Sequence, residues 1–374
     1  MKYKYLNFVV LLLIFFFAFN CEILASGIDD IIEEQKEIYG YNDINNLVPN
    51  SAYDTAEEFG EDLSIDNVNN FLDIGKILNF LLSKFINAIS GNGSLFIGLI
   101  IILFASLFVK ILNENGKSDI IKILNVFIMI SSSLILFNGI FKSIENLNSS
   151  INILSSFSTS LIPVLSSLIA ASGRPTYSIS GASTTFFAIE FLLSIITYVI
   201  IPFSNVYIAM GVGAGLSSNQ NIKKLSTLIK NWSIGIYSFI CCLFIGVLSI
   251  QSLLTSSGDD IARKTLKHAA GSFLPVAGGY LSEGIDTIYT CASNLKNTSG
   301  IFAIIVVFLI IISPLIDMLC KYIIIRISEI ICNIFNNEIL VSFFGIARDT
   351  FSILTSVILG YSMMIIISIS ILLI

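Results

Sequence analysis

Residues 301–325 read IFAIIVVFLIIISPLIDMLCKYIII, a run whose only formal charges are Asp317 and Lys321. A helix needs about 20 apolar residues to cross a hydrocarbon layer of about 30 Å, and this run exceeds that length. Comparable windows lie at 94–112, 119–140, 183–202, 231–254 and 350–374. Together the six windows predict an all-α, polytopic integral membrane protein. Four weaker stretches, 157–172, 203–217, 271–287 and 327–346, extend the expectation to six to eight transmembrane helices. Those at 157–172 and 271–287 carry Pro163 and Pro275 among small residues and are expected to form two re-entrant or interfacial hairpins.

Composition leads to the same solvent. The chain is 55% hydrophobic and 12% charged, with a mean hydropathy of +0.88. Soluble chains carry about 25% charged residues, so lipid must cover much of this surface. Ahead of the membrane region, 1–26 has Lys2 and Lys4, an apolar run from Phe8 to Phe19 and small residues Ala25 and Ser26, the layout of a signal peptide. Segment 27–70 is acidic: 13 of the 26 acids fall between Asp29 and Asp73, with Lys36 the one lysine there. It is expected to be extracytoplasmic and mobile on its own, and its charge repels nucleic acid. Residues 71–90 place Lys76 and Lys84 among apolar residues at helical spacing, which predicts an amphipathic interfacial helix. The membrane domain proper is 94–374.

An extracytoplasmic mature start puts the loop with Lys110, Lys117 and Lys122, the loop with Lys223, Lys224 and Lys230, and the stretch with Lys321, Arg326 and Arg348 inside, as the positive-inside rule requires. Loop 255–300 runs against the rule with Arg263, Lys264, Lys267 and Lys296, partly offset by Asp259, Asp260, Glu283 and Asp286.

The chain also aligns on itself at an offset of 112 residues. Ser160-Leu-Ile-Pro163-Val164 pairs with Ser272-Phe-Leu-Pro275-Val276, Pro202 with Pro314, and Asn205 with Asp317. The candidate units are 119–217 and 231–346, and both start from one membrane face, so they form a parallel repeat. Gly271, Gly278, Gly279 and Gly284 would let backbones approach closely in the second hairpin. An exposed interfacial loop is the alternative for that stretch.

Catalytic, cofactor and metal chemistry have little raw material. The six cysteines include no C-x-x-C pair and His268 is the single histidine. Two carboxylates lie within apolar windows, Glu190 and Asp317. A charge at the bilayer centre costs about 2.5–3.5 kcal/mol on insertion scales, so each is a functional candidate. Asp317 has Lys321 at i+4, which favours a structural pair. Glu190 has no basic neighbour at i±3 or i±4, so it is either protonated in a buried site or faces water within the bundle.

The run His268-AAGSFLPVAGGYLSEGIDT, followed by Asn294-LKNTSGI and an apolar C-terminal third, resembles the stage III sporulation protein AE family of endospore-forming bacteria. The resemblance extends from about residue 94 to the end, and its most specific part is Gly271 to Ser282. It implies a subunit of the mother-cell-to-forespore channel, a secretion-like complex in the mother-cell membrane. Implied partners are the other stage III A-operon proteins, among them a secretion-type ATPase, and through them a forespore-side protein. The protein would be permease-like, non-enzymatic and part of an oligomeric assembly in the bilayer. The alternative from the residues is a stand-alone secondary transporter of a small solute using Glu190 and/or Asp317, which a cavity shared by the two would favour. An intramembrane enzyme lacks a G-x-G-D or H-E-x-x-H motif.

Candidate channel or assembly elements are therefore Pro163, Glu190, Pro202, Gly271, Pro275, Gly278, Gly279, Gly284, Pro314 and Asp317. Gly278→Leu should abolish assembly or function while the protein still inserts, as read by its level in the membrane fraction. Loss from the membrane would make this glycine a folding element.

Overall fold

The computed structural model describes residues 43–113, 118–217, 220–273, 278–335 and 337–373. Side chains are described for most of these, but not for 69, 112–113, 118–122, 214–217, 220–223, 252–289, 291 and 338–339. The described residues are almost entirely helical and hold no strand. In chain order the helices are α1 (Ile44–Leu47), α2 (Asn50–Phe59), a 3-10 turn (Ile65–Leu72), α3 (Ile74–Gly91) and α4 (Gly93–Asn113). They continue with α5 (Ser118–Ala171), α6 (Pro175–Ile195), a π-helical turn (Ile196–Ile200) and α7 (Ile201–Ser217). The last are α8 (Gln220–Phe273), α9 (Gly278–Ile334) and α10 (Glu338–Leu373). Among the described residues six helical segments are long and apolar enough to cross a membrane: Gly93–Ile111, Ile123–Ala171, Pro175–Gly213, Lys224–Gln251, Ala292–Ile334 and Leu340–Leu373.

Local chemistry sets the boundaries. Gly60 ends α2 at φ 87°, a left-handed conformation that glycine adopts without strain. Asp73 starts α3 by accepting the Gly75 N–H at 2.8 Å and the Lys76 N–H at 3.4 Å. Lys76 also pairs with Glu61, and that hydrogen bond holds the Glu61 carboxyl below the usual carboxylate range. The reversal between α5 and α6 uses Gly173 at φ 91°, with Pro175 as the first residue of α6.

Pro163 is not in a hairpin. It lies inside α5, which runs on to Ala171, and the chain reverses ten residues after the proline, at Gly173. One missing N–H does not break a helix whose other groups remain bonded within packed protein. Pro202 shows a second accommodation: the π-helical turn directly precedes it, with the Ile201 N–H bonded to Ile196 O, and α6 continues into α7. Segment 203–217 is thus the continuation of a spanning helix. Pro314 sits within α9. In the second expected hairpin the backbone is helical to Phe273 and again from Gly278, and Pro275 lies outside the described residues. The surroundings of Gly271, Gly278, Gly279 and Gly284 lie outside them too.

The acidic segment also differs from the mobile chain that its charge suggested. From Ile44 onward it folds into a cap whose Ile44, Ala52, Ala56, Ile65 and Phe71 are buried against α9 and α5. Phe59 stacks on Phe71 at 5.1 Å and meets Phe80 of α3 edge-on at 5.3 Å. Its acids point outward while apolar residues at i, i+4 and i+8 face the bundle.

The hub is the antiparallel pair α9 and α10. Their apolar windows are 72% and 67% buried within the protein, against 22–33% for the other four spans. Phe302, Val306, Phe344, Phe351, Leu354 and Tyr361 are among the fully buried side chains. Outer helices present Ile97, Ile101, Phe104, Phe187, Phe191, Trp232, Phe239 and Leu243 outward, as lipid-facing surfaces do. Direction follows from two contacts: Asn92 meets Asp317 and Lys110 meets Phe335 O, 18 residues on in both helices. Parallel α4 and α9 therefore keep step over about 27 Å, close to the hydrocarbon thickness.

Close packing fixes α10 in place. The Tyr237 hydroxyl donates to Val357 O at 2.9 Å, and its ring lies over Gly360, where an added Cβ would come within 2.5 Å of the hydroxyl oxygen. Gly360→Ala should therefore destabilise by about 1–3 kcal/mol. Gly246→Ala, where nothing lies within 4 Å, should be neutral, both read as melting temperature in detergent.

A polar cleft as candidate functional site

Asp317 and Lys321 stand one turn apart on α9, and their side chains pair at 2.7 Å. Helical geometry alone brings i and i+4 together, so this pair was legible in the sequence. Its other partners come from elsewhere. Lys321 Nζ donates to Ser143 Oγ of α5 at 2.8 Å, and Asn92, at the junction of α3 and α4, donates its Nδ2 to Asp317 Oδ1 at 2.8 Å. One turn earlier on α9, Ser313 Oγ accepts from Lys84 of α3 at 3.1 Å, and Lys84 also pairs with Glu58 of the cap at 2.5 Å. The node thus ties the cap, α3, α4, α5 and α9 together.

The node forms the wall of a cleft of about 760 Å³ between α3, α4, α5 and α9. Its lining mixes polar and apolar surface, with Asn87, Asn92, Ser94, Asn138, Lys142 and Asn146 joining the polar residues above and Leu95, Leu134, Ile135 and Ile316 among the apolar ones. Lys321 is 5% exposed and Asp317 27%. An ammonium so far from water is tolerable because both a carboxylate and a hydroxyl receive its protons. Close approach seals the base: a Cβ on Gly139 would lie 2.9 Å from Leu95.

Glu190 lies elsewhere. It accepts a hydrogen bond from Ser155 Oγ of α5 at 2.9 Å and lines a separate, apolar cavity of about 650 Å³ between α6 and α8. Phe187, Phe191, Leu243, Phe244 and Val247 surround it. Glu190 and Asp317 therefore do not share a cavity, the arrangement that would have favoured a lone transporter using both. Pro163, Pro202 and Pro314 lie within separate long helices, and of these Pro314 alone is near the cleft, three residues before Asp317.

A second charged node escaped the sequence reading. Arg348 of α10 grips both Glu329 oxygens at 2.9 and 2.7 Å and reaches Asp349 Oδ1 at 2.7 Å. Arg326 adds a bond to Glu329 at 2.8 Å, Lys230 of α8 pairs with Asp349 at 2.6 Å, and Tyr207 of α7 donates to Asp349 at 3.2 Å. The signal was there in Arg326 and Glu329 at i+3, but the contacts across 19 and 119 positions depend on how the helices assemble. Among the described residues no group of three or more His, Cys, Asp or Glu side chains is placed to hold a metal.

A family model described as stage III sporulation protein AE matches residues 56–374. The stage III sporulation protein AE of Bacillus subtilis (strain 168) is 28% identical over 176 residues, which is 46% of this chain and 43% of that protein. The aligned stretch thus spans less than half of the relative's length. No solved structure matches.

Removing one member of the buried pair should cost more than removing both. Lys321→Met leaves Asp317 with Asn92 alone and should lower stability by roughly 3 kcal/mol. The double variant Lys321→Met/Asp317→Leu should recover most of that loss in melting temperature. Equal losses would show that packing, not charge, holds the node.

Proposed function

The chain belongs to the stage III sporulation protein AE family, and from that membership we propose that it is a multi-pass subunit of the mother-cell-to-forespore channel. In this reading it is a permease-like, non-enzymatic part of a secretion-like complex in the mother-cell membrane. The observation that carries it is the family match over 56–374 on an all-α body with six helices able to cross a membrane. A sporulation role follows from the family. The channel, its partners and its membrane are our reading.

Two structural features support a scaffold built into a larger assembly. The central pair α9 and α10 is pinned at both ends, by the Glu329–Arg348 node and by Lys296 donating to Leu373 O at 2.6 Å. Rigid, fully packed hubs suit a subunit that holds neighbours in register. The clustering of Lys110, Lys230, Arg326 and Arg348 around the α9–α10 turn favours a cytoplasmic location for that end and an extracytoplasmic one for the cap, while Lys321, expected inside with them, lies in the node beside the cap.

Affinity purification of the tagged protein from sporulating cells tests the reading. It should recover the secretion-type ATPase and the other stage III A-operon membrane proteins, with a forespore-side partner after crosslinking. A solitary protein that moves a small solute after reconstitution would overturn it.

A further inference from the structure

The exposed faces of α4 and α5 change character at the mouth of the polar cleft. On α5, Ile123, Phe127, Ile130 and Leu134 follow one another at helical spacing on an outward stripe, and the next positions on that stripe are Asn138 and Lys142. On α4 the exposed apolar run Ile97, Ile101, Phe104 and Phe108 is preceded by Ser94 and Asn92. Along these stripes both helices switch from lipid-compatible to polar surface at the cleft, between Leu134 and Asn138 and between Ile97 and Ser94, while Phe141 stays exposed on the neighbouring face of α5. That is the signature of a headgroup boundary.

The charges of the cleft are unequal. Its lining holds three lysines, Lys84, Lys142 and Lys321, and one carboxylate, Asp317. Lys321 is satisfied by Asp317, and Lys84 by Glu58 from outside the lining. Lys142 is exposed and has no hydrogen-bond or ion-pair partner among the described residues, and the same holds for the amides of Asn87 and Asn138 and the hydroxyl of Ser94. A surplus ammonium with hydroxyl and amide donors around it suits a ligand made of acceptors and carrying negative charge. Leu134 and Ile135 continue the same wall into the lipid-facing surface, where acyl chains would lie.

We propose that this cleft binds the phosphate of an anionic phospholipid, with the headgroup on Lys142, Asn138 and Ser94 and the chains along the exposed apolar faces of α4 and α5. The site stands on the membrane fold alone and does not depend on the channel assignment. It differs from general attraction of basic residues to a bilayer because the donors line one cleft and the adjoining exposed apolar faces of α4 and α5 accept the tails.

The test uses the full chain in nanodiscs of equal parts phosphatidylglycerol and phosphatidylcholine, with the lipid retained after detergent washing measured by mass spectrometry. The wild-type protein should retain phosphatidylglycerol preferentially. Lys142→Gln should reduce that preference roughly fivefold, the contribution of one lysine at an anionic surface, while Lys142→Arg keeps it. Because Lys142 is exposed, the melting temperature of each variant in neutral detergent should match the wild type. Inorganic phosphate and glycerol 3-phosphate form a second arm: stabilisation by these alone, with no lipid preference, would assign the phosphate site to a soluble ligand and overturn the lipid. No preference and no stabilisation, or an unchanged preference in Lys142→Gln, would overturn the site itself.

Discussion

Hydrocarbon offers no hydrogen bonds, so every polar group at membrane depth must find its partner inside the protein. Much of this structure follows from that constraint. Serines are frequent in the spanning helices, and Ser132, Ser133, Ser158, Ser204, Ser328 and Ser368 each donate to the carbonyl four residues earlier, at 2.6 to 3.0 Å. Their hydroxyls are satisfied within their own helices and leave the outer surface apolar. Prolines are subject to the same requirement. Pro202 is met by a π-helical turn, and Pro163 and Pro314 are carried within packed helices where neighbouring groups remain bonded.

Charged groups obey the constraint less locally. The Asp317–Lys321 pair needs Ser143 and Asn92 to complete it, and Arg348 needs Glu329 and Asp349. Each completion recruits further helices, so the cost of placing charge in the bundle is offset by groups that also define how the bundle packs. One node ties the cap to α3, α4, α5 and α9. The other ties α7, α8, α9 and α10. The α9–α10 pair connects the two, with Gly360 and Gly300 admitting Tyr237 and Leu373 at contact distance.

What was legible in the sequence follows the same division. The six spanning helices could be read because a 20-residue apolar run has one solution in lipid. The Asp317–Lys321 pair was visible because both residues share a helix face. Ser143 and Asn92 stand 178 and 225 positions from their partners, and nothing in spacing connects them. The hairpin expected at Pro163 reflected a rule for helices in water, where a lost N–H bond and a clash end the helix. In the cap, net charge masked the stripe formed by Ile44, Val48, Ala52 and Ala56, which is apolar enough to dock on a membrane protein although too small to fold alone.

The length of α9 has a further consequence. Its 57 residues make a rod of about 85 Å at 1.5 Å per residue. A bilayer core of about 30 Å can enclose less than half of such a rod, even one tilted by the usual 20°. A single continuous element therefore links the membrane interior to space tens of ångströms beyond it, without a joint at the surface. With 72% of its apolar window covered by neighbouring helices, the protein rather than the lipid encloses most of this rod, so a displacement at one end would be shared with every helix packed along it.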